Sequence, residues 1–381
     1  MMKPTLLIIT EMPVAKDPRA LRQIRFLRPF FKVTVLGDSP FPNINGEIEY
    51  LPIVPYVLES SSILRRLMLL CGSLRFRWKP LLQNLRILNG RHFDLILVNS
   101  LWPLPLALRA ANGAPVFWDA HEYYPGELPD NRFGCRLSNR AADFLCKRLI
   151  PQTAGIATVC DSIAEEYQIK FGIPKPIVIR NIPSHVCIEP SRTDGKIRLL
   201  YHGVAAPSRK LELLIQTVRL LKEDFQLTFM LLRQSWTEEY ICYLKKISKN
   251  LSSVTFSDAV PTEEIAERTN KFDIGIFLHP PLSLNSRFAL PNKFFEFIQA
   301  RLAVAIGPSP EMARLVKKYE IGIVSDDFSP ESMADQLNRI TLKDIARWKK
   351  NTVIAAEDLC AEREMPLLTK SLLKLCDHRS F

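Results

Sequence analysis

Several signatures are missing from this chain of 381 residues, and each gap removes a class of protein. No apolar run approaches the roughly 18–20 residues that span a bilayer as a helix. The N-terminal "TLLIIT" is too short for a secretory core and reads as a buried strand. The eight cysteines are scattered, with no CxxC pair and no His/Cys cluster at zinc spacing. Free thiols in a reducing cytosol are therefore expected, rather than disulfides or a structural metal. "ITEMPVAKDPR" stands after the first strand, where a dinucleotide-dependent dehydrogenase has GxGxxG, and no GxxxxGK[ST] occurs to support a P-loop kinase or ATPase. No helix-turn-helix, RNA-recognition or zinc-finger pattern points to nucleic acid, despite a net charge of +11. Internal repeats and low-complexity segments are also lacking.

One stretch lacks acids altogether. Residues 60–93 carry Arg65, Arg66, Arg75, Arg77, Lys79, Arg86 and Arg91, interleaved with Leu67, Met68, Leu69, Leu70, Phe76 and Trp78. That composition fits either a core helix with a solvated basic face or a contact with an anionic membrane surface.

What the sequence has is alternation. Short β-rich runs ("TLLIIT", "KVTVLGD", "FDLILVN", "APVFWDA", "GIATVC", "PIVIRN") are separated by helical patterns, such as 19–29 and 134–150, through residue 182. After the polar, proline-marked "PSHVCIEPSRTDGK" the alternation restarts with "IRLLYHG", "QLTFMLL", "SVTFSD", "FDIGIFL", "LAVAIG" and "IGIVSD". Strands alternating with helices predict parallel sheets covered on both faces. Two such sets predict an α/β protein of two Rossmann-like, doubly wound domains with a site at the strands' carboxyl ends, in a cleft between the domains. The expected bounds are 1–190 and 191–355, with 356–381 as a C-terminal helix.

The strand-to-helix junctions hold the candidate chemistry. In "YHGVAAPSRKLELLI" a strand ends at Gly203 and Arg209 precedes a helix; a cation beside free backbone N–H groups makes an anion site, the alternative being an exposed loop. In "ALPNKFFEFIQA" Pro291 suits the first helical position, and Asn292, Glu296 and Gln299 share one polar stripe bordered by Lys293. Glu296 either pairs with Lys293 or accepts ligand hydroxyls. "VFWDAHEYYPGE" packs Asp119, His121 and Glu122 at a strand end, where His121 is either structural or able to donate a hydrogen bond or move a proton. Asp17, before Pro18 and Arg19, fits an N-cap.

Taken in order, "DPRALRQIRFL", "DAHEYYPGE", "ATVCDSIAEEY…VIRNIP", "YHGVAAPSRKLELLI" and "LPNKFFEFIQARLAVAIGPSPEMARLV" resemble the blocks of the family 4-like GT-B glycosyltransferases, and they cover nearly the whole chain. The resemblance implies an acceptor domain first, a nucleotide-sugar donor domain second, and a last helix crossing back to the first. It implies that Arg209 and Lys293 hold the donor diphosphate, with Gly203 and Asn292 beside them. Glu296 matches the second acid of the family's E-x7-E pattern and would contact the ribose. His121 would lie near the transferred sugar, with Arg19, Asp119 and Glu122 on the acceptor side.

The chain departs from the pattern at Phe288, where the first acid of that pair would stand, at Lys210, where a glycine is usual, and at Arg301 and Ala303, in place of the family's glycine and proline. The expected activity is transfer of a hexosyl group from a nucleotide diphosphate sugar to a hydroxyl of a glycan or lipid-linked acceptor, with retention. The donor is a substrate, and neither a cofactor nor a metal is expected. The expected location is cytoplasmic, peripheral at the inner face of the membrane through residues 60–93, with no nucleic-acid partner. Two rivals are a sugar-nucleotide epimerase of the same fold and an inactive glycosyltransferase-like membrane-docking subunit.

Overall fold

The computed structural model describes residues 3–38, 48–54, 78–129 and 133–377. Each run quoted above forms a strand. β1 (Thr5–Pro13), β2 (Lys32–Asp38), β3 (Glu49–Pro52), β4 (Leu95–Asn99), β5 (Val116–Ala120), β6 (Gly155–Thr158) and β7 (Ile177–Val178) make one parallel sheet in the order β3-β2-β1-β4-β5-β6-β7. β8 (Ile197–Val204), β9 (Phe225–Leu232), β10 (Val254–Asp258), β11 (Ile274–Phe277), β12 (Ala303–Ile306) and β13 (Gly322–Val324) make a second, in the order β10-β9-β8-β11-β12-β13. The central strands are continuous apolar runs because helices cover both faces; every residue of β4 and of β12 is buried. β3 escaped the sequence reading. It is a short edge strand with Glu49 and Pro52 in four residues, paired to β2 from Thr34–Glu49 to Gly37–Pro52, with the Thr34 hydroxyl donating to the Glu49 carboxylate.

In both sheets the strand order reverses beside the first strand, between β1 and β4 and between β8 and β11. A groove opens at the carboxyl ends there, because successive connections leave in opposite directions.

The chain divides into two compact units. The first comprises Met1–Arg180, Ser283–Asn285 and Glu364–Phe381, and the second Asn181–Leu282 and Ser286–Arg363. The change of unit thus comes at 180/181, before the 190/191 expected. Most of the expected 356–381 segment, from Glu364 on, joins the first unit. There Glu364 takes an ion pair from Arg180 at 3.1 Å and also accepts from the Arg180 backbone N–H. The basic 60–93 stretch lies outside the described residues up to 77; from there the helix Trp78–Leu88 is described.

Asp17 caps the helix Pro18–Leu27 as expected, accepting from the backbone N–H groups of Arg19 and Ala20. Pro291 differs from its expected place. Its extended backbone makes it the N-cap, and the helix is Asn292–Gln299.

Two departures from the family pattern now have a physical reading. Lys210 and Arg301 both adopt a left-handed backbone, with φ of 53° and 61°, where a residue lacking Cβ has no penalty. The exposed Lys210 simply carries that strain. The buried Arg301 offsets it, because its guanidinium donates to the carbonyls of Ile298, Gln299 and Val186. A cation on the last carbonyls of a helix is favoured both by hydrogen bonding and by the helix dipole. Lys210→Gly is therefore expected to raise the unfolding free energy by about 1 kcal/mol. Arg301→Gly, which removes strain and side-chain bonds together, should lower it by about 2–3 kcal/mol. Urea unfolding of the two variants checks both signs; equal shifts would refute the reading.

Candidate active site

The second unit gathers titratable side chains at its switch point. β8 delivers Tyr201, His202 and Gly203; the chain leaving β11 delivers His279; the helix Asn292–Gln299 delivers Lys293 and Glu296. Lys293 is buried, with its Nζ 3.8 Å from the Tyr201 ring centroid and 5.1 Å from that of Phe277, and it makes no hydrogen bond. Aromatic faces attract an ammonium but do not replace water as acceptors. Gly203 sits at φ 116°, and a Cβ there would come within 3.4 Å of the Lys293 Nζ, so glycine serves both the backbone and the space above the ammonium.

Burial pushes the Lys293 ammonium well below its ordinary range, and the charge of Arg209 adds to this while Glu296 opposes it. Burial likewise lowers His202 to about 3, with Lys293 contributing. His279 is lowered to about 4 by burial and by the charge of Arg209. Both imidazoles are therefore neutral near pH 7. Glu296 Oε2 lies 3.5 Å from His202 Nε2, and the His202 ring stands edge-on to Phe297, which fixes it.

The expected polar stripe on this helix is shorter than the spacing suggested. Asn292 and Glu296 remain half-buried, but Gln299 is fully buried and saturated. Its amide donates to the carbonyls of Ala356 and Leu359 and accepts from the Val186 N–H. Gln299 is thus a tie between the helix, the linker and the helix Leu342–Asp358.

In the first unit, Arg19 and Asp119, expected on the acceptor side, are both buried. Arg19 clamps Asp119 with two hydrogen bonds of 2.7 and 2.6 Å, and Gln23 donates a third at 2.6 Å. Gln23 and Asn99 then exchange amide bonds beneath. Burial alone would raise the Asp119 carboxyl, but the charges of Arg19 and His121 outweigh it and hold it well below the usual carboxylate range. The pair is a saturated footing. Beside it His121 is partly exposed, but its Nε2 is buried and lies 3.6 Å from Asp119 Oδ2, too far for a good hydrogen bond.

Glu122 is held by Asn285, whose amide donates to its carboxylate and accepts from the Tyr123 N–H. Burial raises the Glu122 carboxyl. Glu127 is pushed up to about 7 by burial and by the charges of Glu122 and Glu11. Sequence reasoning passed over His202, His279, Asn285 and Glu127. A strand-final "HG" and "LHP" were the only local hints of the two histidines; Asn285 reaches Glu122 across 163 positions, which no spacing rule shows.

The comparisons with known proteins meet this geometry. Residues 25–182 match the family model Glycosyltransferase Family 4. The chain as a whole has the GT-B fold. It superposes on alpha,alpha-trehalose 6-phosphate synthase from Burkholderia multivorans with a TM-score of 0.71 at 12% identity, covering 99% of this chain and 100% of that one. Sucrose-phosphate synthase from Thermosynechococcus elongatus gives 0.72 at 12%, covering 98% and 100%. Anabaena HepE, solved in complex with UDP and glucose, gives 0.66 at 13%, covering 96% and 99%. No curated protein matches the sequence.

Lys293 has a measurable cost. Unfolded lysine keeps its proton to about pH 10, whereas the folded ammonium gives it up earlier. Between those points the unfolded state binds more protons, so this residue makes stability rise with pH. Lys293→Met should raise the unfolding free energy by about 1–3 kcal/mol at neutral pH and flatten that slope. Chemical unfolding from neutral to alkaline pH checks it; a less stable variant with an unchanged slope would contradict a strained ammonium.

Proposed function

We propose that this chain is a nucleotide-sugar-dependent hexosyltransferase acting on a hydroxyl of a glycan or lipid-linked acceptor, with retention at the anomeric carbon. One observation carries the proposal: a buried ammonium with no hydrogen-bond acceptor, roofed by a glycine and neighboured by Arg209, at the switch point of a parallel sheet. A diphosphate supplies the missing acceptors. Asn292 and Lys293 also open a helix of eight residues, whose first N–H groups and dipole favour an anion. Glu296, a turn further on, suits the two hydroxyls of a ribose. UDP, present with HepE in its solved complex, is the first nucleotide to try.

In the proposed reaction the bond from the anomeric carbon to the β-phosphate oxygen breaks, and the acceptor oxygen joins on the same face. The hydroxyl proton passes to the departing diphosphate, whose growing charge Arg209 and Lys293 meet without a metal. His121 would hydrogen-bond the sugar. A lipid-linked acceptor would set the reaction at the inner face of a membrane; among the described residues no helix is long and apolar enough to cross one.

Arg209→Ala is expected to cut kcat/KM by about 10²–10³-fold, as expected for loss of a group that stabilises transition-state charge. Glu296→Ala should raise the donor KM with a smaller effect on kcat. Steady-state kinetics with a donor chosen from a thermal-shift panel of UDP, GDP and their sugars tests both. Wild-type constants in either variant would remove that residue's role, and an altered sugar still attached to its nucleotide would identify an epimerase.

A further inference from the structure

The helix Phe133–Leu149 in the first unit has a buried side made by Asn139, Ala142, Leu145, Cys146 and Leu149. Its opposite side is neither polar nor apolar. Phe133 and Phe144 are 65% and 53% exposed, and Arg136, Arg140, Lys147 and Arg148 stand exposed between and beyond them. At about 100° per residue these six fall within roughly 120° of arc, a single face.

The face continues onto the neighbouring helix Asp161–Phe171. Asp143, the one acid of the first helix, is bound by both Lys147 at 2.8 Å and Lys170 at 2.9 Å. Beside Lys170 stands Ile169, 81% exposed. Of the other acids of that second helix, Asp161 and Glu165 pair with Lys175, while the half-buried Glu166 acts with Asp143 on Tyr123. Five cations thus accompany two carboxylates, Asp143 and Glu166, with three large apolar side chains standing among them.

We infer that this face of the Phe133–Leu149 helix, with Ile169 and Lys170, docks on an anionic lipid bilayer. Charge selects the occupant. A folded acidic protein would satisfy the cations but leave the phenylalanines and isoleucine needing a shaped apolar counterpart, whereas a bilayer offers anionic headgroups over hydrocarbon at the depth these side chains reach. A nucleic acid would satisfy the cations and leave the apolar tips in water.

The helix is not a loose appendage. Buried Asn139 donates to the Leu128 carbonyl at 2.9 Å and accepts from its N–H at 3.2 Å. Docking would therefore fix the chain that runs from His121 to Leu128. The inference concerns a surface, and it stands whether or not the acceptor is lipid-linked.

The test is flotation of the full chain with vesicles of phosphatidylcholine alone and of phosphatidylcholine mixed with phosphatidylglycerol. Binding is expected only to the mixed vesicles and should weaken in high salt. Arg136→Glu with Arg140→Glu should lower the partition coefficient by at least about 30-fold. Phe133→Ser with Phe144→Ser should lower it about 10-fold. All four positions are exposed, so circular dichroism and urea unfolding should match the wild type, and nucleotide affinity should be unchanged.

No binding of the wild type to anionic vesicles overturns the inference. Equal binding by both double variants overturns it too, placing any membrane contact elsewhere. Loss on removing the arginines but not the phenylalanines, with heparin competing, shows a general polyanion contact instead of a bilayer.

Discussion

A buried positive charge must find an acceptor or strain the fold, and this molecule follows that constraint at every buried cation but one. Among the described residues, Arg19, Lys293, Arg301 and Lys349 are buried. Arg19 has Asp119, Arg301 has three carbonyls, and Lys349 donates to Ser191, the Phe272 carbonyl and Asp273. Lys293 has two aromatic faces and no acceptor. The surroundings are arranged around this exception. Gly203 leaves space above the ammonium, two neutral histidines flank it without adding charge, and Phe294, Phe295 and Phe297 anchor its helix against the sheet.

The first unit solves the converse problem. Its buried acid, Asp119, is over-supplied with donors, and the surplus rigidity is passed to His121 just above it. Asp119 belongs to β5, Arg19 and Gln23 to the first helix, and Asn99 to β4, so one carboxylate fastens three elements on the side of the sheet where its order reverses. The neighbouring carboxylates Glu122 and Glu127 instead resist ionisation, because burial is not matched by cations. Two adjacent sets of acids thus have opposite protonation behaviour within a short stretch of chain.

The legibility of all this in the sequence was uneven for physical reasons. Strand runs such as "FDLILVN" and "FDIGIFL" were plain because a parallel strand buried on both faces must be apolar throughout. Lys293, Gly203 and Arg209 were legible because helix starts and strand ends are where backbone groups stay unsatisfied. Gln299 was misplaced, since helical spacing gives a direction but not what lies there; its partners come from the linker and a helix some sixty positions on. Arg19 and Asp119 were found as polar residues at the right end of the sheet, but only three-dimensional contact across 100 positions showed that they consume each other. Arg301 looked like a lost glycine, and its compensation depended on Val186, which no local rule connects to it.

The assignment of Glu364 and the residues after it to the first unit has a consequence for how the molecule is made. Synthesis runs from the N-terminus, so most of the first unit has left the ribosome long before its closing segment is translated. Until then Arg180 lacks Glu364, its carboxylate partner, and the faces that receive Leu368 and Leu372 stand open to water. The segment Ser283–Asn285, also part of that unit, arrives earlier but still after the whole first sheet. The first unit therefore closes only after the second has been made, so its completion depends on the synthesis of its neighbour.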